Sequence, residues 1–293
     1  MDHTELFKEI RKIEMVTRAL VNDQMAGQYQ SVFKGRGMAF DGVRQYQRGD
    51  DVRLIDWNVS ARMNEPYIKM FVEEREMTVM LVVDVSASAG FGTAHQTKSR
   101  LAAKVAATLA FSAIKNNDRV GLIMFTDQVE LYVPPKKGRK HVLRVVSEIL
   151  KFKPEARGTD LNIGLDFLGR VAKQKFVAFL ISDFIATDWE NSLRLASKKH
   201  DLIPVCITDP VEEEFPNVGV VYMEDPESGE IFAVDTSSYK VRDEFARQVK
   251  QDRISREQLF RRYRMDYMNM STRDEDMAAM VSFFKLRAKR AMR

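Results

Sequence analysis

From residue 77 onward, short apolar runs alternate with longer stretches of helical spacing. The first run, Met77-Thr-Val-Met-Leu-Val-Val, stops abruptly at Asp84. An uninterrupted apolar run bounded by polar signals reads as a fully buried central strand. Val120–Phe125, Phe176–Ile181 and Leu202–Ile207 repeat the pattern. Val129–Val133 reads as a short strand ended by Pro134-Pro135, and the reversal at Thr126-Asp-Gln128 pairs it antiparallel to its predecessor. Helical spacing is predicted over Thr97–Lys115, with Leu101, Val105 and Thr108 on one face, over His141–Phe152, and from Leu161 to about Val171. A further helix, capped by Asp188, runs to Lys199, a long polar helix covers 239 to about 263, and Glu275–Arg290 forms the last. Val218–Tyr222 and Ile231–Val234 flank Asp225-Pro-Glu-Ser-Gly229 as a hairpin, and Met265–Met270 reads as a final strand. Strands alternating with helices predict an α/β fold with a doubly wound, mostly parallel sheet and one antiparallel edge strand.

The pattern before residue 77 differs. Leu6, Ile10, Ile13, Thr17 and Leu20 line one face of an amphipathic helix from 4 to about 25, opened by Asp2 with Glu5 three residues on. Gly35-Arg-Gly37 and Asp41-Gly42 are turn signals. Then Arg44, Arg48, Arg53 and Arg62 interleave with Asp50, Asp51 and Asp56 and with Tyr46, Ile55 and Trp57. An exposed loop has no need of such large apolar residues, so this stretch predicts partly buried Arg–carboxylate pairs. Two roles stay open: the pairs fasten an extension to the main domain, or some arginines reach a partner or an anionic group. Pro66–Val72 predicts a strand leading into the buried one. The chain thus divides into a helical and Arg/Asp-rich extension, 1–76, and an α/β domain, 77–293.

Composition narrows the class. In 293 residues, 45% hydrophobic and 30% charged, a sizeable core can be buried. No stretch approaches the roughly 18 apolar residues of a transmembrane helix, and Met1-Asp-His-Thr-Glu lacks the basic and apolar regions of a signal peptide. The single cysteine, Cys206, excludes a disulfide within the chain. These features predict a cytoplasmic location. The sixteen methionines scatter and read as core filler.

The chemistry gathers at strand ends. Asp84, Ser86 and Ser88 follow the first buried strand at two-residue spacing, so that in an extended loop all three face one point. Thr159 opens a helix and Asp183 ends a later strand. Two carboxylates and three hydroxyls are hard oxygen donors suited to Mg²⁺, with Mn²⁺ or Ca²⁺ left open. Such a site keeps an open position for an external carboxylate. Asp84-x-Ser86-x-Ser88 with Thr159 and Asp183 resembles the metal-ion-dependent adhesion site of von Willebrand factor A-type domains. That resemblance implies a sheet with its first strand central, a short antiparallel edge strand, and Mg²⁺ above the strand ends. The upstream stretch, Arg44-x-Tyr46-x-x-Gly49-Asp50-Asp51-x-Arg53-x-Ile55-Asp56-Trp57 with Arg62 beyond, resembles the signature of bacterial domain-of-unknown-function family 58. Members of that family carry it before an A-type domain and are typically encoded beside MoxR-type AAA+ ATPases. The resemblance implies a protein-interaction module whose partner, such an ATPase or its client, supplies an Asp or Glu to the metal.

Two other functions compete. Asp84 beside Mg²⁺ is a conceivable nucleophile for a phosphohydrolase. Phosphatases of that kind place a second acid two residues on, where this chain has Ser86, and no Lys-bearing phosphate loop is present. His3, His95, His141 and His200 form no ligand or triad spacing, although His95 lies in the Asp84 loop. Nucleic-acid binding would draw on the C-terminus, where residues 240–293 hold 15 basic and 8 acidic residues, with Arg261-Arg262-Tyr263-Arg264 as one cluster. The clusters are short and end helices, where cations favour the dipole, which argues against nucleic acid.

Overall fold

Continuous apolar runs become strands here because both faces of the sheet are covered. The computed structural model describes residues 10–11, 14–15, 37–74, 77–93, 96–152, 158–224, 229–274 and 277–291. Contacts divide the chain into Phe33–Met77 and a larger unit of Met1–Val32 with Thr78–Arg293.

The smaller unit is an antiparallel pair, β1 (Gly37–Gln45) and β2 (Tyr67–Glu74), joined through the short helix α1 (Trp57–Met63). Asp41-Gly42, predicted as a turn, lies inside β1: the register shifts between Phe40 and Gly42, a bulge that absorbs the extra residue. Asp56 caps α1 by accepting from the Asn58 and Val59 amides.

The larger unit holds a six-stranded sheet. Its strands are β3 (Thr78–Asp84), β4 (Arg119–Phe125), β5 (Val129–Lys136), β6 (Val177–Ser182), β7 (Asp201–Thr208) and, after the hairpin β8 (Val220–Glu224) and β9 (Ile231–Asp235), β10 (Met268–Ser271). The order is β10-β7-β6-β3-β4-β5, parallel except for β5 at one edge. This is the doubly wound α/β arrangement, with the first strand central. Every residue of β3 and β6 is buried. Met80, Val82, Phe125, Ala178 and Leu180 share one core layer. Alternation turns Val79, Leu81 and Val83 to the opposite face. Helices α2 (Lys98–Lys115), α3 (Arg139–Lys151), α4 (Leu161–Val171) and α5 (Glu190–Lys199) cover the sheet, followed by the short α6 (Pro210–Glu213), the long α7 (Tyr239–Arg262) and α8 (Ala278–Ala291).

Predicted boundaries move where neighbours decide them. Strand β5 continues through Pro134-Pro135 to Lys136; the open side of an edge strand spares one proline's missing N–H, and the bulge between Val133 and Lys136 absorbs the other. Asp188 does not cap α5: Trp189 holds that position, and Asp188 adopts a left-handed φ of 58° in the turn before it. The last strand is shorter, beginning at Met268. The predicted helix from 4 to 25 lies outside the described residues except at 10–11 and 14–15, which are helical. There Ile10 is buried, and Glu14 accepts from Arg139 Nε at 2.8 Å.

Candidate functional site: a carboxylate pair at the sheet's switch point

The chain leaves β3 for β4 on one side and later returns to β6 on the other, so the order reverses between β3 and β6. Open α/β sheets bind ligands at such a switch point, beyond the carboxyl ends of the strands. Asp84 ends β3 and Asp183 directly follows β6. Both are buried. Asp84 Oδ1 accepts from the Ser86 amide at 3.0 Å, and Oδ2 accepts from Ser182 Oγ at 2.7 Å. Burial, and then the charge of Asp183, push the Asp84 carboxyl up to about 6, against the pull of the Ser86 and Ser182 donors. Two carboxylates this crowded favour a cation.

The hydroxyls converge, but not by extended-strand alternation. Ser86 is extended, at φ −58° and ψ 171°, and Ala87–Gly90 winds into a 3-10 turn. The turn brings Ser88 Oγ to 3.1 Å from Ser86 Oγ. Thr159 lies on the loop before α4. Its neighbour Asp160 caps that helix through the Asn162 amide, and the Asp160 amide donates to Thr126 O at 3.2 Å, holding the loop near the end of β4. Thr159 Oγ1 is buried without a hydrogen-bond partner.

The loop after Asp183 is bent. Phe184 has a left-handed φ of 60°, uncommon for an aromatic residue. Its ring packs 5.5 Å from both Trp189 and Phe260, and its amide donates to Ser182 Oγ at 2.9 Å. Ser182 therefore links Asp84 to the backbone beyond Asp183. Beside this loop lies a cleft of about 940 Å³ whose walls include Thr159, Asp183, Ile185, Phe215, Phe245 and Arg256. Phe215 and Phe245 stack at 3.9 Å, and the Arg256 guanidinium donates to Asp183 O at 3.1 Å. A void of about 10 Å³ is lined by Asp84, Ser88, Lys98, Ser182 and Asp183 among others.

Sequence reasoning missed the polar network under the site. Lys98 Nζ lies 2.7 Å from Asp183 Oδ2 and 2.5 Å from Glu212 Oε1. Burial works against the Lys98 charge, but Asp183 and Glu212 outweigh it and hold the proton more firmly than usual. Burial lifts the Glu212 carboxyl despite the pull of Lys98. Glu212 also caps the Asp209 amide at 3.1 Å. Asp209 accepts from Thr272 Oγ1 at 2.5 Å, from the Thr93 amide at 2.9 Å and from the Thr93 hydroxyl. These bonds overcome burial and hold its carboxyl low. The network ties together the loops after β3, β6, β7 and β10. Its sequence signals are Thr97, the N-cap before Lys98, and the capping box of Asp209 and Glu212 around Pro210.

These residues fit a divalent cation. The donor set is hard, Thr159 is an orphan buried hydroxyl, and the buried Asp84 carboxyl lies in the field of Asp183. Among the described residues no three His, Cys, Asp or Glu side chains gather as a ligand cluster, so hydroxyls and water would complete the shell. His3 and His95 lie outside the described residues, while His141 Nε2 meets Val120 O at 2.8 Å and His200 is buried.

In the smaller unit, Arg44 makes a two-pronged pair with Asp50, at 2.9 and 2.7 Å. This pair, then the Gln47 amide, hold the Asp50 carboxyl below the usual range. Gly49 turns at φ 108°, a conformation that favours glycine. Further partly buried Arg–carboxylate pairs are not found in this stretch among the described residues. Arg53 is exposed and 3.7 Å from Asp51, which instead caps the turn at Val52–Leu54. Arg62 is exposed, and Trp57 is 71% exposed. Asp56 is used as a helix cap, 3.9 Å from Lys69. Tyr46 and Ile55 are half-buried.

The sequence matches the family described as "Protein of unknown function DUF58" over residues 42–255. The chain belongs to that family. An uncharacterized protein of Mycobacterium tuberculosis is 30% identical over 298 residues, covering 100% of this chain and 93% of its own. One of Mycobacterium avium is 27% identical over 166 residues, 55% of this chain and 96% of that protein. Among solved structures, the conserved hypothetical protein BatB of Bacteroides thetaiotaomicron aligns with a TM-score of 0.46 at 14% identity, over 73% of this chain and 99% of that one. The VWA domain of SpRpn10 aligns with a TM-score of 0.34 at 16% identity, over 45% of this chain and 75% of its own. No helix among the described residues of this DUF58 chain is long and apolar enough to cross a membrane. Several of its basic residues near the C-terminus are paired with acids: Arg261 with Glu257, Arg287 with Asp201 and Asp266, and Arg290 with Asp266.

Proposed function

We propose that this protein is a divalent-metal-dependent interaction module. Asp84, Ser86, Ser88, Thr159 and Asp183 would hold Mg²⁺ directly or through water, and a partner's Asp or Glu would complete the shell. The metal supplies a fixed positive charge that an acidic side chain can neutralise. The chain's own residues hold the ligands still: Ser182 and the Ser86 amide orient Asp84, and the packed Phe184 ring sets the loop after Asp183. The observation that supports this reading is the buried Asp84–Asp183 pair with the unpartnered Thr159 hydroxyl beside an apolar cleft. The cleft would take an apolar side chain next to the partner's acid. Asp84 is enclosed and has donors on both oxygens, which suits a ligand better than a nucleophile.

The partner we propose is a MoxR-type AAA+ ATPase or its client, on the strength of the family resemblance. The test presents a purified MoxR-type ATPase from the same genome to the immobilised chain and to Asp84→Ala, in Mg²⁺ or in EDTA. Retention in Mg²⁺ alone, lost in the variant, is expected. Retention of the parent in EDTA as strong as in Mg²⁺, or retention of Asp84→Ala in Mg²⁺ equal to the parent's, would sink the metal-dependent reading.

A further inference from the structure

Under the candidate metal site the chain carries a cation of its own. Lys98 is the first residue of α2 and is 2% exposed. Its position opposes its charge twice. An ammonium in a helix's first turn faces the positive end of the dipole. Burial adds a desolvation cost that an apolar side chain would avoid. Its two acidic neighbours are held by other bonds. Asp183 Oδ1 accepts from the Ile185 amide at 3.1 Å, while Oδ2 takes Lys98 at 2.7 Å. Glu212 Oε1 takes Lys98, and Oε2 takes the Asp209 amide.

We propose that Lys98 is a tethered counter-ion for the metal site: it keeps Asp183 in place without metal and weakens divalent-ion binding by sharing that carboxylate. The inference rests on the metal reading above. An ion between Asp84 and Asp183 meets an ammonium already hydrogen-bonded to one of its ligands. Like charges separated by one carboxylate repel strongly in a buried setting. The consequence is a site that fills when a partner's carboxylate adds negative charge, so that metal and partner bind together.

The test compares the parent, Asp84→Ala, Lys98→Met and the double variant Lys98→Met/Glu212→Gln, using Mn²⁺ as probe. Bound Mn²⁺ is read by electron paramagnetic resonance, and melting temperatures verify folding. Removing both partners of a buried pair is tolerated better than removing one, so the double variant is decisive. Lys98→Met is expected to bind Mn²⁺ at least about tenfold more tightly than the parent, the scale of one charge–charge contact at this range, and the double variant, which also loses the Glu212 charge, more tightly than the parent by a smaller factor. Unchanged or weaker binding in the double variant would overturn the proposal, because Lys98 would then only position Asp183. If Asp84→Ala binds Mn²⁺ as the parent does, the metal reading itself fails and the proposal falls with it.

Discussion

His200 offers a quantitative test of the packing between α5 and the sheet. It ends α5 just before β7 and is 2% exposed. Its Nδ1 accepts from the Phe176 amide at 3.2 Å, and its ring stacks on Phe176 with centroids 5.7 Å apart. An accepting Nδ1 requires the neutral tautomer with its proton on Nε2. Charging the ring would put a second N–H against the Phe176 amide. Burial, then the charges of Lys199 and Lys175, push its pKa down from 6.5 to about 4. The folded state refuses a proton that the unfolded chain accepts near pH 6.5. Stability from this group is therefore complete above that pH and is lost as pH falls toward 4. By about pH 4.5 the loss amounts to roughly 2–3 kcal/mol. His200→Asn keeps an acceptor for the Phe176 amide, with Oδ1 standing where Nδ1 stood, and does not titrate. Urea unfolding of parent and variant at about pH 7.5 and about pH 4.5 isolates the histidine, because the carboxylates are common to both. The parent is expected to lose roughly 2–3 kcal/mol more than the variant between the two conditions. An equal loss in both proteins would refute the reasoning.

Two further outcomes test the core and the smaller unit. A Cβ at Gly164 would sit 2.6 Å from Cδ1 of the fully buried Phe125, so Gly164→Ala should lower stability by about 1–2 kcal/mol despite its better helix propensity. Thermal unfolding of Gly164→Ala/Phe125→Leu should show a cost below the sum of the two single changes, and strict additivity would mean that the contact is not felt. Trp57→Ser should shift the melting stability by less than about 0.5 kcal/mol, as for other exposed positions. A loss above about 2 kcal/mol would show the indole to be buried.

Most of the α/β body was legible in the sequence because strands covered on both faces carry continuous apolar runs, and the runs ending at Asp84, Phe125, Ile181 and Ile207 have no helical alternative of that length. Local signals failed where neighbours decide. Pro134-Pro135 reads as a stop until β5 is known to be an edge. Asp41-Gly42 reads as a turn until β2 runs alongside and makes it a bulge. The arginine and aspartate spacing from 44 to 62 signalled pairing but not which pair forms, and among the described residues only Arg44–Asp50 is two-pronged.

The site divides the same way. By itself the sequence put Asp84, Ser86, Ser88 and Asp183 at the ends of buried strands, since a polar residue that halts an apolar run must sit where the sheet meets its loops. Only the tertiary structure decided which strands lie side by side. The β3–β6 pairing sets the Asp84 carboxylate against Ser182 and within the field of Asp183, and the packing of α2 against β7 carries Lys98 to both Asp183 and Glu212, which is 114 residues away along the chain. Charge crowding is a property of distances through space, and no spacing along the sequence records it.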